Sequence, residues 1–303
     1  MQDSSFARSF QANRWLYFML LPGILYFLIF KYAPMWGLLI SFQNYQPFLG
    51  IFRSPWVGFK HFERFLLSPT FFQLFRNTIL LAVYNLFFFF PLPIVLALMI
   101  NEIRSFAFKR IVQTLTYIPH FFSWVVIAGI TYLLFTTEGG LVNELIVKAG
   151  GTKIPFLTSP DWFRPIITLQ NIWRDVGWGT IVFMATLAGI DPQLYEAATI
   201  DGASRWHQLL HITLPSLRST VVILLVLRLG RFLDTGFEQI FLMLNAMNRE
   251  VGDVFDTYVY DIGIIQGQYS YSTAIGMFKS IVCLILVIVS NKIAKKYGEE
   301  GVY

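Results

Sequence analysis

The chain has 303 residues, of which 55% are hydrophobic and only 14% are charged, and its mean hydropathy is +0.57. Soluble domains carry about a quarter charged residues, so this composition excludes an ordinary soluble protein. Several apolar runs reach the roughly 20 residues that a helix needs to cross the hydrocarbon core of a bilayer. We therefore expect an all-α polytopic membrane protein.

The net charge of +5 and the isoelectric point of about 9.2 do not indicate a nucleic-acid partner. The basic residues are scattered between apolar runs instead of forming one patch, and basic cytoplasmic loops are common in membrane proteins. The single cysteine, Cys283, lies within an apolar run. An intramolecular disulfide and a cysteine-rich metal site are therefore both excluded.

Six apolar runs follow one another along the chain. The first is interpreted as a retained span and not as a signal peptide, because no small-x-small cleavage site follows it. Pro119 predicts a kink in the third run, and His61 begins a short stretch that is typical of an interfacial helix. The runs predicted to span the membrane are 15–30, 77–100, 111–135, 165–190, 217–244 and 271–290.

The chain is predicted to form a single transmembrane domain. No connection between spans is long enough for a separate soluble core. Six spans place both termini on one side, and the basic 101–110 loop and C-terminal tail, directly beside span ends, indicate that this side is cytoplasmic. The predicted parts are the N-terminus at 1–14, spans 1–4 within 15–190, a polar loop at 191–216, spans 5–6 within 217–290 and a tail at 291–303.

The polar loop at 191–216 is helix-competent but too polar to lie in lipid. Asp191 followed by Pro192 predicts a helix start, since Asp caps the first turn and Pro suits its first position. Gly202 predicts a break after a short helix, and Ser204 predicts the cap of a second one. Pro215 is expected to end or kink that second helix. The pattern predicts a bent helical elbow at the membrane surface.

No motif of enzymatic chemistry is evident. The sequence has no G-x-x-x-x-G-K-[ST] phosphate loop and no G-x-S-x-G motif. His207 and His211 have a spacing that could hold a metal, but no third ligand accompanies them, so two solvated side chains are the favoured interpretation. We expect neither a catalytic residue nor a metal site.

Charged residues within the spans are more informative, because a charge near the bilayer centre costs at least about 2.5–3.5 kcal/mol on insertion scales. Arg174 and Asp175 lie in the fourth run, while Arg231, Asp234 and Glu238 follow an i, i+3, i+7 pattern that predicts one helix face of the fifth. A substrate pathway and structural pairing between spans or subunits both remain open for them. Lys31 and Lys279 are expected to extend to the headgroups and are given no role.

Glu196-Ala-Ala-x-x-Asp-Gly-Ala, followed by Ile212-x-Leu-Pro215, resembles the cytoplasmic signature loop of ABC importer permeases that work with a solute-binding protein. One departure is Ser219, where some relatives have a second proline. Motifs elsewhere resemble the LplB-type branch of carbohydrate-uptake permeases, which is similar to the maltose permeases: Tyr32-Ala-Pro-Met, Asn77-Thr, Tyr117-Ile-Pro-His-Phe-Phe-Ser-Trp, Phe237-Glu-Gln-Ile-Phe and Asp256-Thr-Tyr-Val-Tyr.

This resemblance implies the transmembrane domain of a type I ABC importer, with six helices and a coupling helix between spans 4 and 5. It implies a bacterial cell-membrane permease for a sugar, with an oligosaccharide expected. The implied partners are a second homologous permease, two cytoplasmic ATPase subunits that bind ATP and Mg, an extracellular solute-binding protein and membrane lipid. The implied coupling residues are Glu196, Ala197, Ala198, Asp201, Gly202 and Pro215. The alternatives are a secondary transporter driven by an ion gradient and, third, a membrane enzyme.

Overall fold

The computed structural model describes residues 13–296; the remainder of the predicted N-terminus and tail lies outside the described residues. Within this range the secondary structure is helical, apart from turns and one isolated bridge between Gln43 and Trp56. The helices are α1 (Arg14–Phe42), α2 (Gly50–Arg53), α3 (Lys60–Leu66), α4 (Pro69–Asn101), α5 (Phe106–Phe121), α6 (Trp124–Phe135), α7 (Leu141–Lys148), α8 (Pro160–Ala188), α9 (Pro192–Ile200), α10 (Arg205–Gly230), α11 (Phe237–Met243), α12 (Arg249–Gly252), α13 (Phe255–Tyr260, continued by a π-helix at Asp261–Ile265) and α14 (Tyr269–Lys296).

Within residues 13–296, four helices, α1, α4, α10 and α14, are long and apolar enough to cross a bilayer. Helices α5 and α6 meet at 102° across a short break. Counted together as one broken span, they form a fifth. Helix α8 is as long as α1, at 29 residues, but it carries charges along its length. The described chain is thus an all-helical membrane protein with four or five apolar spans.

Two prolines in the long helices follow wide turns. In α10 a π-helical turn, Leu209–Thr213, ends two residues before Pro215, and in α4 another, Asn85–Phe89, ends two residues before Pro91. A proline has no N–H and clashes with the carbonyl of the preceding turn, so a locally wider turn lets the helix continue. Of the end or kink predicted at Pro215, the end is wrong, because α10 runs on to Gly230.

The third predicted span is broken more sharply than a proline kink. Pro119 lies in a 3₁₀ turn at Ile118–Phe121, and Ser123 then caps α6 by accepting a hydrogen bond from the Val126 N–H at 3.4 Å. The chain changes direction by 102° at this point. The backbone near Phe122 is consequently free to bond with side chains of other helices.

The fifth predicted span is interrupted in its middle. Helix α10 ends at Gly230, and α11 begins only at Phe237, after a non-helical stretch at 231–236. Gly236 has a φ of +86°, a left-handed conformation that other residues rarely adopt. The prediction that Arg231, Asp234 and Glu238 share one helix face is therefore wrong, because the helical register does not continue through the break.

The buried core is built around α8, α4 and α14. Ala97 of α4 packs with Phe183 and Leu187 of α8 near one end of the molecule, and an aromatic cluster around Phe65 joins α3 to α13 and α14. By contrast, none of the most apolar part of α1 is buried; only its last segment, Ala33–Phe42, packs on α14. The most apolar part of this long helix is therefore left uncovered by the described chain.

Candidate functional site

The elbow predicted at 191–216 begins with a well-formed helix cap. The Asp191 carboxylate accepts a hydrogen bond from the Gln193 N–H at 2.9 Å, and Pro192 occupies the first helical position. The first turn of a helix has backbone N–H groups without a partner inside the helix. Asp191 accepts a hydrogen bond from one of them, and Pro192 has no N–H that needs a partner. The predicted start of α9 is confirmed.

The bend of the elbow is a glycine-terminated helix end. Gly202 has a φ of +78°, the Ala203 N–H donates to the Ala198 carbonyl at 2.8 Å, and the Gly202 N–H donates to the Thr199 carbonyl at 3.1 Å. These two bonds are those of a Schellman motif, which closes a helix through a left-handed residue. No atom lies within 4 Å of the position that a Cβ on Gly202 would occupy, so the glycine is required for conformation and not for space.

The second arm of the elbow, α10, starts at the predicted cap and is tied back to the first. Ser204 Oγ accepts a hydrogen bond from the His207 N–H at 3.3 Å. Tyr195 and Thr213 share a hydrogen bond of 2.9 Å between their hydroxyl groups, and Gln208 Nε2 donates to Thr199 Oγ1 at 3.0 Å. Side chains from both arms therefore hold the bend at one angle.

The outer surface of the elbow combines polar and large apolar side chains. Glu196 and Asp201 are exposed, and Ala198 is half-buried, while Ile200 and Trp206 are 86% and 67% exposed on either side of the bend. The small residues among the predicted coupling set, Ala197 and Gly202, are also exposed, as is Pro215. The elbow can therefore be approached closely by another chain.

The elbow lies beside the other predicted cytoplasmic connection. Arg205 Nη1 is 3.7 Å from Glu102 Oε2, and both side chains are exposed. A cleft of about 390 Å³ separates the two connections and is lined by polar side chains that include Arg104 and Gln208. The structure therefore brings the basic 101–110 loop and the elbow to the same end of the molecule.

Arg174 and Asp175 meet the break between α5 and α6. The Asp175 carboxylate is 2.8 Å from His120 Nδ1 and 3.3 Å from Arg174 Nη1. The Arg174 Nε–H donates to the Phe122 carbonyl at 3.3 Å, and its guanidinium lies 4.5 Å from the ring centroid of Trp124. Arg174 and Asp175 thus pair with backbone and side-chain groups at the break. This favours the interpretation that they are structural pairs.

A cleft of about 470 Å³ opens between α4, α8 and α10. Trp178, Arg228 and Arg231 are among its lining residues. The Trp178 ring is 46% exposed and stacks on His120 with centroids 4.3 Å apart, and the Arg228 guanidinium lies 5.3 Å from the centroid of Phe89. Sequence reasoning missed Trp178; its position one helical turn after Arg174 was the available signal.

The remaining predicted pathway residues are divided between different surroundings. Arg231 lines the cleft, whereas Glu238 is exposed on α11 and is not among the lining residues. Asp234 Oδ1 lies 3.8 Å from Lys279 Nζ, which also contacts Asp256. The expectation that Lys279 extends to the headgroups is wrong, because its side chain is only 15% exposed and is held by these carboxylates.

Comparison with known proteins accounts for this combination of an exposed elbow and broken membrane helices. Residues 89–298 match the family described as "Binding-protein-dependent transport system inner membrane component". The chain belongs to this family. It is a permease subunit of a binding-protein-dependent ABC importer, a transport component and not an enzyme.

Two relatives from Bacillus subtilis (strain 168) are similar over nearly their full length. The polygalacturonan/rhamnogalacturonan transport system permease protein YteP is 58% identical over 96% of this chain and 91% of its own length. Protein LplB is 53% identical over 99% of this chain and 94% of its own. The predicted membership of the LplB-type branch is confirmed.

A solved structure is similar to this permease throughout. A chain in the crystal structure of a bacterial alginate ABC transporter, in complex with an alginate pentasaccharide-bound periplasmic protein, has a TM-score of 0.90 and 40% identity. The match covers 97% of this permease and 99% of that chain. The type I ABC permease fold is therefore the fold of this chain as well.

Proposed function

We propose that this permease forms half of the translocation path for an acidic oligosaccharide and couples transport to ATP hydrolysis by a separate subunit. The observation that carries the substrate class is the cleft between α4, α8 and α10, in which the Trp178 ring lies beside Arg228 and Arg231. The names of its relatives include polygalacturonan, rhamnogalacturonan and alginate, and all three are acidic polysaccharides.

The chemistry of the cleft suits a uronic acid. An aromatic face packs against the C–H surface of a sugar ring, and a guanidinium binds a carboxylate through two parallel hydrogen bonds. Arg231 is exposed toward solvent, whereas Arg228 is half-buried against the Phe89 ring. In this proposal Arg174 and Asp175 hold the wall of the path through His120, while Asp234 and Glu238 border it without contacting the sugar.

The elbow is proposed as the coupling helix, seated on a cytoplasmic ATPase subunit. Glu196 and Asp201 would pair with basic side chains of the ATPase. The small residues Ala197, Ala198 and Gly202 would let the ATPase approach the elbow closely. Pro215 sets the wide turn that starts the following span. ATP and Mg would be bound by the ATPase subunits and not by this chain.

The proposed assembly contains a second homologous permease, two ATPase subunits and an extracellular solute-binding protein. None of the most apolar part of α1 is buried within the described chain. In the proposed assembly this surface contacts the neighbouring permease and lipid. We take α8 as a span, which gives six with the α5–α6 pair and places both termini in the cytoplasm. The protein would act in the bacterial cell membrane as one domain over 1–303.

The test is uptake by the complete transporter in proteoliposomes, with oligogalacturonate and its methyl ester as substrates. We expect Arg228→Gln and Arg231→Gln each to raise the KM for oligogalacturonate about tenfold, which corresponds to about 1.4 kcal/mol of lost carboxylate binding. The KM for the neutral ester should change less than twofold. Arg53→Gln, in exposed α2, is the matched control.

Two outcomes would overturn the proposal. Equal uptake of the acid and the ester by the unmodified transporter would exclude an acidic specificity. Uptake that persists without the ATPase subunits and collapses with a protonophore would indicate a secondary transporter instead.

A further inference from the structure

Lys279 lies deep in the molecule between two carboxylates. It is ten residues after the start of α14 at Tyr269, about 15 Å along the helix. Its Nζ donates to Asp256 Oδ1 at 2.6 Å and to Oδ2 at 2.7 Å, and it lies 3.8 Å from Asp234 Oδ1. The ammonium therefore has one close partner and one looser partner.

The close partner belongs to a rigid part of the fold. Asp256 is in the first turn of α13, and the aromatic rings of Phe255 and Phe278 join α13 to α14 with centroids 6.2 Å apart. Phe65 of α3 packs on both rings, and Phe255 is fully buried. Lys279 and Asp256 are thus fixed to each other by the surrounding core as well as by their charges.

The looser partner belongs to the break in the fifth predicted span. Asp234 lies in the non-helical stretch at 231–236, and its side chain is 55% exposed. In the same stretch, the buried Thr235 hydroxyl has no hydrogen-bond partner among the described residues, and Gly236 is left-handed. Leu233 of this stretch is fully buried in one cluster with Tyr271 and Ile275 of α14, and the Asp234 ion pair adds a charged contact to the same helix.

Asp234 is joined directly to a residue of the cleft. The Asp234 N–H donates to the Arg231 carbonyl at 2.9 Å, which closes one turn between them. Arg231 lines the cleft beside Arg228 and Trp178. The position of the Asp234 carboxylate therefore affects the position of the backbone that carries the Arg231 guanidinium.

We propose that Lys279 is a positioning residue: held by Asp256, it attracts Asp234 and so keeps the turn that presents Arg231 to the substrate. This inference rests on the proposed function, because it assigns Arg231 a substrate carboxylate to bind. It adds a specificity-determining ion triad that does not itself touch the sugar.

The decisive variant is Asp234→Asn, for which two explanations predict opposite signs. If Asp234 acted only through its charge, its neutralisation would remove a carboxylate that repels an acidic substrate, and the KM for oligogalacturonate would fall. If it positions Arg231, the KM should rise about five- to tenfold while kcat changes less than twofold. The side chain is exposed enough for the variant to fold.

Three further variants separate positioning from simple folding. Lys279→Arg keeps the cation and should leave the KM within about twofold of the unmodified transporter. Lys279→Met leaves Asp256 unpaired in a confined site and should lower the amount of assembled transporter, which the neutral pair Lys279→Met with Asp256→Asn should restore. All measurements use the complete transporter in proteoliposomes with oligogalacturonate and its methyl ester.

The outcomes distinguish this inference from the proposed function. If the unmodified transporter prefers the acid but Asp234→Asn lowers the KM or leaves it unchanged, the positioning role is overturned and the acidic specificity stands. If the unmodified transporter does not distinguish acid from ester, the proposed function fails, and the positioning role fails with it.

Discussion

Tyr195 and Thr213 are 18 residues apart, yet their hydroxyl groups share a hydrogen bond of 2.9 Å that closes the elbow. Tyr195 is on α9 and Thr213 is in the π-helical turn of α10, so the bond spans the bend at Gly202. Thr213 is buried and Tyr195 is half-buried, which limits exchange of this bond with water. The angle between the arms is therefore set by side chains and not only by the backbone turn.

Removal of this bond should loosen the elbow and weaken the coupling proposed for it. Tyr195→Phe keeps the ring and deletes one hydrogen bond, which typically contributes about 0.5–1.5 kcal/mol. We expect the number of ATP molecules hydrolysed per sugar imported to rise about two- to fivefold in proteoliposomes. Tyr132→Phe, at an exposed position of α6, is the control. Adding Thr213→Val to Tyr195→Phe should cause little further change, because both substitutions delete the bond between the two hydroxyl groups and the other bond of Thr213, to the Gln208 carbonyl, is long at 3.4 Å. A fully additive loss would contradict the relationship.

Substitutions at the exposed surface of the elbow should block coupling without blocking insertion. Glu196→Lys reverses the charge offered to the ATPase, and Gly202→Pro cannot adopt the φ of +78° at the bend. We expect ATP hydrolysis to be separated from uptake in both variants, with normal amounts of permease in the membrane. Glu144→Lys makes the same charge change on α7 and should retain uptake. Unchanged uptake by either elbow variant would rule out the assigned role.

Gly177 should be essential for the contact between α5 and α8. A Cβ on this residue would lie 2.0 Å from the Thr116 carbonyl oxygen, so Gly177→Ala must push the helices apart. Overpacking of this kind typically costs about 1–3 kcal/mol. We expect a clear fall in the thermal unfolding temperature of the purified permease in detergent. Gly129→Ala, where no atom lies within 4 Å of the added carbon, should leave the temperature unchanged. Equal stability of the two variants would show that the contact adapts.

His61 should make the permease less stable under mildly acidic conditions. Burial lowers the pKa of His61 from 6.5, with Arg64 and Lys60 lowering it further against the opposing hydrogen bond from the ring to the Gln43 carbonyl. The unfolded chain therefore binds this proton more readily, so the stabilisation is complete above about pH 6.5 and is lost as the pH falls toward the lower folded-state pKa.

The measurement is the thermal unfolding temperature of the permease and of His61→Gln between pH 5 and pH 8. The variant should lose less stability on acidification than the unmodified protein, because it has no proton to bind at this position. Parallel curves would mean that His61 titrates in the same way in the folded and unfolded states.

Local signals predicted the start, the bend and the second helix cap of the elbow correctly. The residues that form these features act on backbone groups only a few positions away, so a short stretch of sequence is enough to predict their effects. They are Asp191 with Pro192, Gly202 and Ser204. Membrane helices were predicted for the same reason, since burial in lipid depends on the composition of one continuous segment. The number of spans and the side on which the termini lie stay predictions.

Long-range contacts account for what was missed. His120 contacts Asp175 across 55 residues and Lys279 contacts Asp256 across 23, so no local pattern could reveal either pair. The break at 231–236 was hidden because an i, i+3, i+7 pattern is meaningful only if the helix continues. The sequence by itself determined a helical membrane protein with a capped, glycine-bent elbow, because these depend on hydropathy and neighbouring residues; the resemblance of its motifs implied the permease family. Only the tertiary structure decided which of these charges line the cleft and which pair with side chains of other helices, because a charge in a confined site is defined by partners that folding brings to it.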